Sequence, residues 1–86
     1  MEFEFDKPKS RANKLKHGID FIEAQALWLD ERHVEIEART GSEQRFVVIA
    51  VKNGRHWTAV ITYRSERIRI ISVRRSRIEE VNIYES

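Results

Sequence analysis

The chain has 86 residues, of which 41% are hydrophobic and 35% are charged, and its formal net charge is +2. This length fits one folded domain, residues 1–86, without separate catalytic and regulatory modules. There is no cysteine and no apolar run longer than six residues, which excludes a disulfide scaffold, a thiol nucleophile and a membrane-spanning segment. We therefore expect a cytoplasmic protein that does not contact a membrane.

A short strand and two helices are predicted at the beginning of the chain. Apolar and polar residues alternate over residues 3–6, as in a strand. Asp6 is a suitable cap for a helix over residues 7–16, and Gly18 is placed to end it in the left-handed conformation. Asp20 and Glu23 have the spacing of a capping box, so a second α-helix is predicted over residues 21–29.

The rest of the chain predicts four strands and a short helix. Alternation begins at Val34, and Asn53-Gly54 between two apolar segments is typical of a hairpin. A turn over residues 64–67 leads into a strand over residues 68–73, and residues 76–84 suggest a terminal helix. The order β-α-α-β-β-β-β-α indicates an α+β fold in which the N-terminal helices pack on one face of an antiparallel sheet.

The charge is distributed unequally along the chain. Residues 1–43 carry seven Lys and Arg against ten Asp and Glu, a net −3, whereas residues 44–86 carry nine against four, a net +5. Six arginines are concentrated in one stretch, at Arg64, Arg67, Arg69, Arg74, Arg75 and Arg77. Such a cluster suits a phosphate-rich partner such as RNA. The alternative is a solvated strand edge that charge protects from aggregation.

The polar residues permit RNA cleavage without a metal ion. His17, His33 and His56 lack the spacing of a zinc site, and no glycine-rich phosphate loop is present. We therefore expect no metal and no cofactor. RNA supplies its own nucleophile, the 2′-OH, so the protein must provide only a base, an acid and fixed cations. The candidates are Arg69, Arg74 and Arg75 as cations, Glu80 or His17 as base, and Tyr84 or His17 as acid.

Several segments resemble the BrnT family of toxins from type II toxin-antitoxin systems. The opening match consists of Phe3-Glu4-Phe5-Asp6, Asn13, Lys16-His17-Gly18-Ile19, Phe21 and Glu23-Ala24. Arg45-Phe46-Val47 fits the family's central strand. The closing match consists of Thr62-Tyr63, Arg67-Ile68-Arg69-Ile70-Ile71-Ser72, Arg74-Arg75, Glu80 and Tyr84. Together these matches extend over nearly the whole chain.

The resemblance implies a RelE-like fold and a ribonuclease toxin that inhibits translation. It also implies neutralisation by a BrnA-type antitoxin with a ribbon-helix-helix half, through which the pair would bind operator DNA. A dimeric antitoxin favours a heterotetramer by symmetry. The alternative from another functional class is a non-catalytic module that binds a partner or acts as a co-repressor through its basic face.

The family motif points to Lys16, His17, Arg45, Arg69, Arg74, Arg75, Glu80 and Tyr84 but assigns them no chemical role. We predict that the catalytic residues are His17, Arg69, Arg74, Arg75, Glu80 and Tyr84, and that the RNA-binding residues are Lys16, Arg45, Arg67 and Trp57. Thr62 and Ser72 also match the motif, where sheet pairing or substrate orientation suits their hydroxyls. His17 has a second interpretation, because a histidine before a helix-ending glycine interacts favourably with the helix dipole. Trp57 also has a second interpretation, as a core residue, because aromatic side chains in strands are commonly buried.

Overall fold

The structure, a computed structural model, describes the backbone of residues 1–86 and every side chain except those at positions 39 and 40. Its elements are β1 (Glu2–Glu4), α1 (Lys7–His17), a 3₁₀ helix (Glu23–Leu29), β2 (Val34–Thr40), β3 (Glu43–Lys52), β4 (Arg55–Arg64), β5 (Arg67–Arg75) and α2 (Ile78–Glu85). These elements confirm the predicted α+β class and the predicted order. Within the described part of the chain, no helix has the length and apolar character needed to cross a membrane.

The first helix begins and ends at its predicted caps. The Asp6 carboxylate accepts a hydrogen bond from the backbone N–H of Lys9 at 3.0 Å. At the other end Gly18 has φ 81°, and its N–H donates to the Lys14 carbonyl at 2.9 Å. Glycine adopts this left-handed conformation without the steric cost that a side chain would bring. The helix predicted over residues 7–16 is therefore confirmed.

The second predicted α-helix is a 3₁₀ helix, so that prediction was wrong in type. The capping box is present: the Asp20 N–H donates to Glu23 Oε1 at 2.9 Å and the Glu23 N–H to Asp20 Oδ1 at 2.7 Å. The fully buried residues are Phe21, Ala24 and Leu27, which are three positions apart. A 3₁₀ helix has three residues per turn, so it directs Ala24 and Leu27 into the core together, and Phe21 joins them from the turn before the helix.

The sheet has five strands in the order β1-β5-β4-β3-β2, and it is mixed rather than antiparallel. β1 pairs with β5 in parallel, with Phe3 opposite Ile68. The other three pairs are antiparallel. A two-residue turn forces its strands to be antiparallel, but β1 and β5 are far apart in the chain and no turn joins them. Their direction therefore depends on tertiary packing.

Tight turns join β3 to β4 and β4 to β5, as predicted. Asn53 and Gly54 have φ 53° and 76°, and Ser65 and Glu66 have φ 48° and 69°. Positive φ at both central residues is the geometry of a type I′ turn, whose twist matches that of the strands. The two turns place β4 between β3 and β5.

The two faces of the sheet are covered differently. One face packs against the 3₁₀ helix and its preceding loop, and its core includes Phe21, Leu27, Val48, Ala59 and Ile70. We call this side the core face. Helix α2 lies on the opposite side, which we call the open face, because Thr58, which alternates with the core residue Ala59, is hydrogen bonded to Glu80 of α2. The C-terminal helix thus does not join the other helical segments on one face.

Candidate functional site

A set of polar side chains from three strands lies on the open face of the sheet. In β4 and β5, Thr62 is opposite Arg69 and Thr58 is opposite Arg74. Residues opposite one another across a sheet project to the same side. In β3, Arg45 alternates with the core-packed Phe46, so it also projects to the open face. The face therefore carries arginines from β3 and β5.

A bulge at Ile71 is the reason that Arg74 belongs to this face. Ile61 is opposite Ile70, and the next pair is Val60 with Ser72, so Ile71 has no partner in β4. Regular alternation would put Arg74 on the same side as Ile70, in the core. The extra residue reverses the alternation. Ser72 and Arg74 consequently share the open face with Arg69.

Arg74 is held by Glu80, which lies in the first turn of α2. The two terminal nitrogens of Arg74 donate to Glu80 Oε1 at 2.7 Å and to Glu80 Oε2 at 2.9 Å. Glu80 Oε1 also accepts from the Thr58 hydroxyl at 3.0 Å and from the Arg77 N–H at 2.8 Å. The hydrogen bonds from Arg74 are the largest of the effects that lower the pKa of Glu80 to about 2. The pair therefore combines a permanent cation with a permanent anion in fixed geometry.

The other arginines of the open face differ in their partners. Arg69 donates to Glu4 at 3.0 Å and Arg67 donates to Glu2 at 3.1 Å, which ties β1 to β5 through side chains. Arg45 is different: among the described side chains, its Nε is a buried nitrogen that has no hydrogen-bond partner. A buried guanidinium nitrogen without an acceptor is energetically costly.

Tyr84 lies one helical turn after Glu80 and belongs to a neighbouring polar cluster. Its hydroxyl donates to Asp30 Oδ2 at 2.7 Å, and this hydrogen bond is the main reason that the pKa of Tyr84 is raised. The Arg32 guanidinium is 5.9 Å from the Tyr84 ring centroid, and the His56 ring stands edge-on at 5.2 Å. His56 Nε2 is 2.7 Å from Glu85 Oε2. No sequence motif includes Asp30, Arg32 or His56, so the sequence did not indicate this cluster.

The remaining predicted site residues lie elsewhere. Trp57 is 8% exposed and packs in the core, with the Arg75 guanidinium 5.6 Å from its ring centroid. Base stacking would require this ring to leave the core, so the buried interpretation is the one the structure supports. Lys16 is exposed and His17 is half-buried, both in the last turn of α1. The structure thus brings together Arg74 and Glu80, and it separates Arg75 and Trp57 from them.

Asn13 connects α1 to the strand that carries Arg74. Its side-chain amide donates to the Val73 carbonyl at 2.9 Å and accepts from the Val73 N–H at 3.3 Å. The same amide nitrogen donates to the Ile19 carbonyl at 2.8 Å. His17 follows one turn later on the same side of the helix, because residues four apart are neighbours on a helix surface. Asn13 therefore anchors α1 to the edge of β5 at Val73.

The open face presents several arginines whose positions are fixed by ion pairs within the chain. Among the described residues, no three His, Asp or Glu side chains are arranged to hold a metal ion. The polar groups near Arg74 are instead hydroxyls and carboxylates that already form hydrogen bonds within the chain.

Comparison with known proteins identifies the family. A family model described as the ribonuclease toxin BrnT of type II toxin-antitoxin systems matches residues 5–80. No curated protein matches the chain. The matched range contains α1, the whole sheet after β1 and the Arg74–Glu80 pair. This chain belongs to the BrnT family of ribonuclease toxins of type II toxin-antitoxin systems.

Proposed function

We propose that this chain is a single toxin domain that cleaves RNA without a metal ion and uses the ribose 2′-OH as the nucleophile. The observation that carries the proposal is Arg74, whose guanidinium Glu80 holds on a face that also presents Arg45 and Arg69. RNA cleavage of this kind passes through a phosphorane with two negative charges. Cations that the fold already holds in position before the reaction stabilise that charge without having to move. We assign this role to Arg74, with Arg45, Arg67 and Arg69 binding flanking phosphates.

The proposed reaction moves two protons. The 2′-oxygen attacks phosphorus while a base removes its proton, and the bond to the 5′-oxygen breaks while an acid protonates that oxygen. The products are a 2′,3′-cyclic phosphate and a 5′-hydroxyl. We assign proton transfer to His17, because imidazole is the side chain suited to exchange protons near neutral pH. The anchoring of α1 beside Val73, the neighbour of Arg74, supports this assignment.

We propose positioning roles for Glu80 and Tyr84. A carboxylate whose pKa is about 2 is a weak base at neutral pH. Glu80 is better suited to hold the guanidinium group of Arg74 in one orientation than to act as the base. The Tyr84 hydroxyl is engaged with Asp30, and a raised pKa makes it a weaker acid. Its contacts favour a role in holding α2 on the sheet.

We further propose a RelE-like fold, inhibition of translation as the toxic effect, and a BrnA-type antitoxin as partner. Family membership supports a protein antitoxin in general. A ribbon-helix-helix antitoxin would form a heterotetramer with two toxins and would bring the complex to operator DNA. Light scattering of the purified complex checks the proposed stoichiometry.

The experiment that tests the proposed function is cleavage of end-labelled RNA in excess EDTA, with product ends read by mass spectrometry. The wild type is expected to leave 2′,3′-cyclic or terminal phosphates. Arg74→Lys keeps the positive charge but loses the bidentate fork, so we expect cleavage to fall about 100-fold or more. Arg74→Ala is expected to abolish growth inhibition while circular dichroism remains that of the folded protein. Arg55→Ala, an exposed arginine at the start of β4 and outside the six-arginine cluster, is the matched control and should cleave normally.

Two results would contradict the proposal. Full cleavage by Arg74→Lys and Arg74→Ala would refute the site, and loss of wild-type cleavage in EDTA would refute metal independence. Absence of cleavage on free RNA and on translating ribosomes, in a chain that still binds its antitoxin, would support the non-catalytic partner-binding module instead.

A further inference from the structure

A groove lies between α1 and the loop that follows it, on the helical side of the molecule. Its volume is about 480 Å³, and its apolar lining includes Phe5, Leu15 and Ile22. Leu15 is 89% exposed and Ile22 is 66% exposed. Single exposed apolar side chains are common on protein surfaces. Two of them beside a preformed groove are more typical of a binding surface.

Helix α1 has an inverted distribution of polar and apolar residues. Its buried side chains are Ser10 and Asn13, both polar, whereas Leu15 projects into solvent. The buried polar groups are satisfied, since the Ser10 hydroxyl accepts from the Phe21 N–H at 2.9 Å and Asn13 bonds to Val73. A surface helix normally buries its apolar stripe. The exposed Leu15 therefore contributes nothing to the packing of this chain, which points to a second molecule.

Basic side chains also line the same groove. Lys7, Arg11 and Lys14 line it, and Asp20 is the one acidic residue in the lining. Lys14 forms an ion pair with Glu23 at 2.8 Å. Lys7 and Arg11 form no ion pair with any described side chain, and their spacing of four residues puts them on the same side of α1. A complementary segment must therefore carry both apolar and acidic side chains.

From these features we propose that the groove binds an acidic amphipathic helix of the protein antitoxin. Lys7 to Leu15 covers about 12 Å along the helix axis, the length of roughly two turns of a partner helix. Apolar side chains of that helix would contact Phe5, Leu15 and Ile22, and its carboxylates would pair with Lys7 and Arg11. The proposal rests on family membership, which requires a protein antitoxin, and not on the RNA chemistry of the open face.

Crosslinking in the purified toxin-antitoxin complex tests the contact directly. A photoreactive p-benzoylphenylalanine is placed at Leu15 in one sample and, as the matched control, at Leu29 in another. Leu29 is an apolar residue that is 82% exposed and lies outside the groove lining. The probe at Leu15 is expected to crosslink to an antitoxin segment of net negative charge with apolar residues three or four apart. The probe at Leu29 should not.

Three crosslinking results would overturn the proposal. They are a crosslink from Leu15 to a second copy of the toxin, equal crosslinking from Leu29, and crosslinking of Leu15 to a basic or non-amphipathic segment. Absence of any crosslink from Leu15 in a complex that gel filtration shows to be intact would also overturn it.

Affinity measurements distinguish this proposal from the proposed function. Leu15→Glu and Arg11→Glu should each weaken antitoxin binding about tenfold or more, and Leu29→Glu less than about twofold. Leu15→Glu toxin without antitoxin should cleave RNA as the wild type does. Because the variant binds antitoxin weakly, added antitoxin should no longer inhibit this cleavage. Unchanged affinity in a folded Leu15→Glu variant would refute the groove. A wild type that binds antitoxin through the groove but does not cleave RNA would refute only the proposed function.

Discussion

At the scale of single residues, Glu80 connects the stability of the chain to its proposed chemistry. One carboxylate accepts hydrogen bonds from Arg74, Thr58 and the Arg77 backbone, and it thereby joins β4, β5 and α2. Its side chain is 15% exposed, so water screens the ion pair only in part. The contacts that fix the orientation of Arg74 therefore also hold α2 on the sheet.

This pair predicts a loss of stability in acid. The pKa of Glu80 is depressed from 4.5 to about 2, so the ionised form stabilises the fold fully above about pH 5. This stabilisation is lost as pH falls towards 2 and the carboxylate becomes protonated. The contribution is about 1 to 3 kcal/mol. Urea unfolding at pH 7, 4 and 2.5 measures it, and Glu80→Gln should be less stable at pH 7 and should lose that part of the pH dependence.

Glu79→Gln provides the matched control, because Glu79 is the exposed neighbour of Glu80 in the same turn of α2. Its pH profile should follow that of the wild type. If Glu80→Gln and the wild type lost stability in parallel between pH 5 and 2, the ion pair would not be the origin of the acid sensitivity.

At the scale of elements, the outer edge of β5 is completed by a side chain instead of a strand. β1 pairs only with the segment from Arg67 to Arg69. Beyond it, the Asn13 amide both accepts from and donates to the backbone of Val73, as a neighbouring strand would. An exposed edge invites pairing with other chains, so this contact protects the edge and also fixes α1 against the sheet.

Asn13→Ala should destabilise the protein by about 2 to 4 kcal/mol, because it leaves buried backbone groups of Val73 and Ile19 without partners. Thermal and urea unfolding measure the loss. Hydrogen exchange gives a local readout, since the Val73 amide loses its acceptor and should exchange faster at the sheet edge. Lys9→Ala, at an exposed position of the same helix, is the control. Unchanged protection of Val73 in Asn13→Ala would show that the amide does not complete this edge.

At the scale of the whole molecule, charge is separated between the halves of the chain. Residues 44–86 carry a net +5 and contribute most of the open face, whereas residues 1–43 carry a net −3. Several arginines of the face are paired with Glu2, Glu4 and Glu80. The ion pairs fix the orientation of these guanidinium groups and neutralise much of their positive charge. Among the described side chains, the buried Nε of Arg45 has no hydrogen-bond partner.

This arrangement predicts a shallow salt dependence of RNA binding. For single-stranded RNA, the slope of log affinity against log salt concentration is about −0.7 for each phosphate contact. Arg45→Ala should make the slope less negative by about 0.7, which fluorescence anisotropy at 50 to 300 mM salt, a range of roughly one decade, can measure. Lys9→Ala on α1 should leave the slope unchanged. An unchanged slope in Arg45→Ala would remove Arg45 from the RNA contacts.

Much of the fold could be predicted because local interactions determine it. The Asp6 and Gly18 caps define α1, the Asn53-Gly54 pair defines a hairpin, and alternation defines the strands of the sheet. The caps, the turn pair and the alternation are short-range steric or hydrogen-bonding preferences that the sequence alone expresses. The arginine-rich stretch and the BrnT motifs, which are distributed along the chain, are also visible in the sequence without a structure.

The remaining features depend on contacts between residues far apart in the chain. The Ile71 bulge moves Arg74 to the open face, Ala24 and Leu27 pack against the sheet from a 3₁₀ helix, and β1 runs parallel to β5. In each case the burial of apolar side chains in a shared core outweighs local propensity. The sequence therefore determines the elements and the candidate arginines, whereas core packing decides which side chains meet on the open face and which remain exposed.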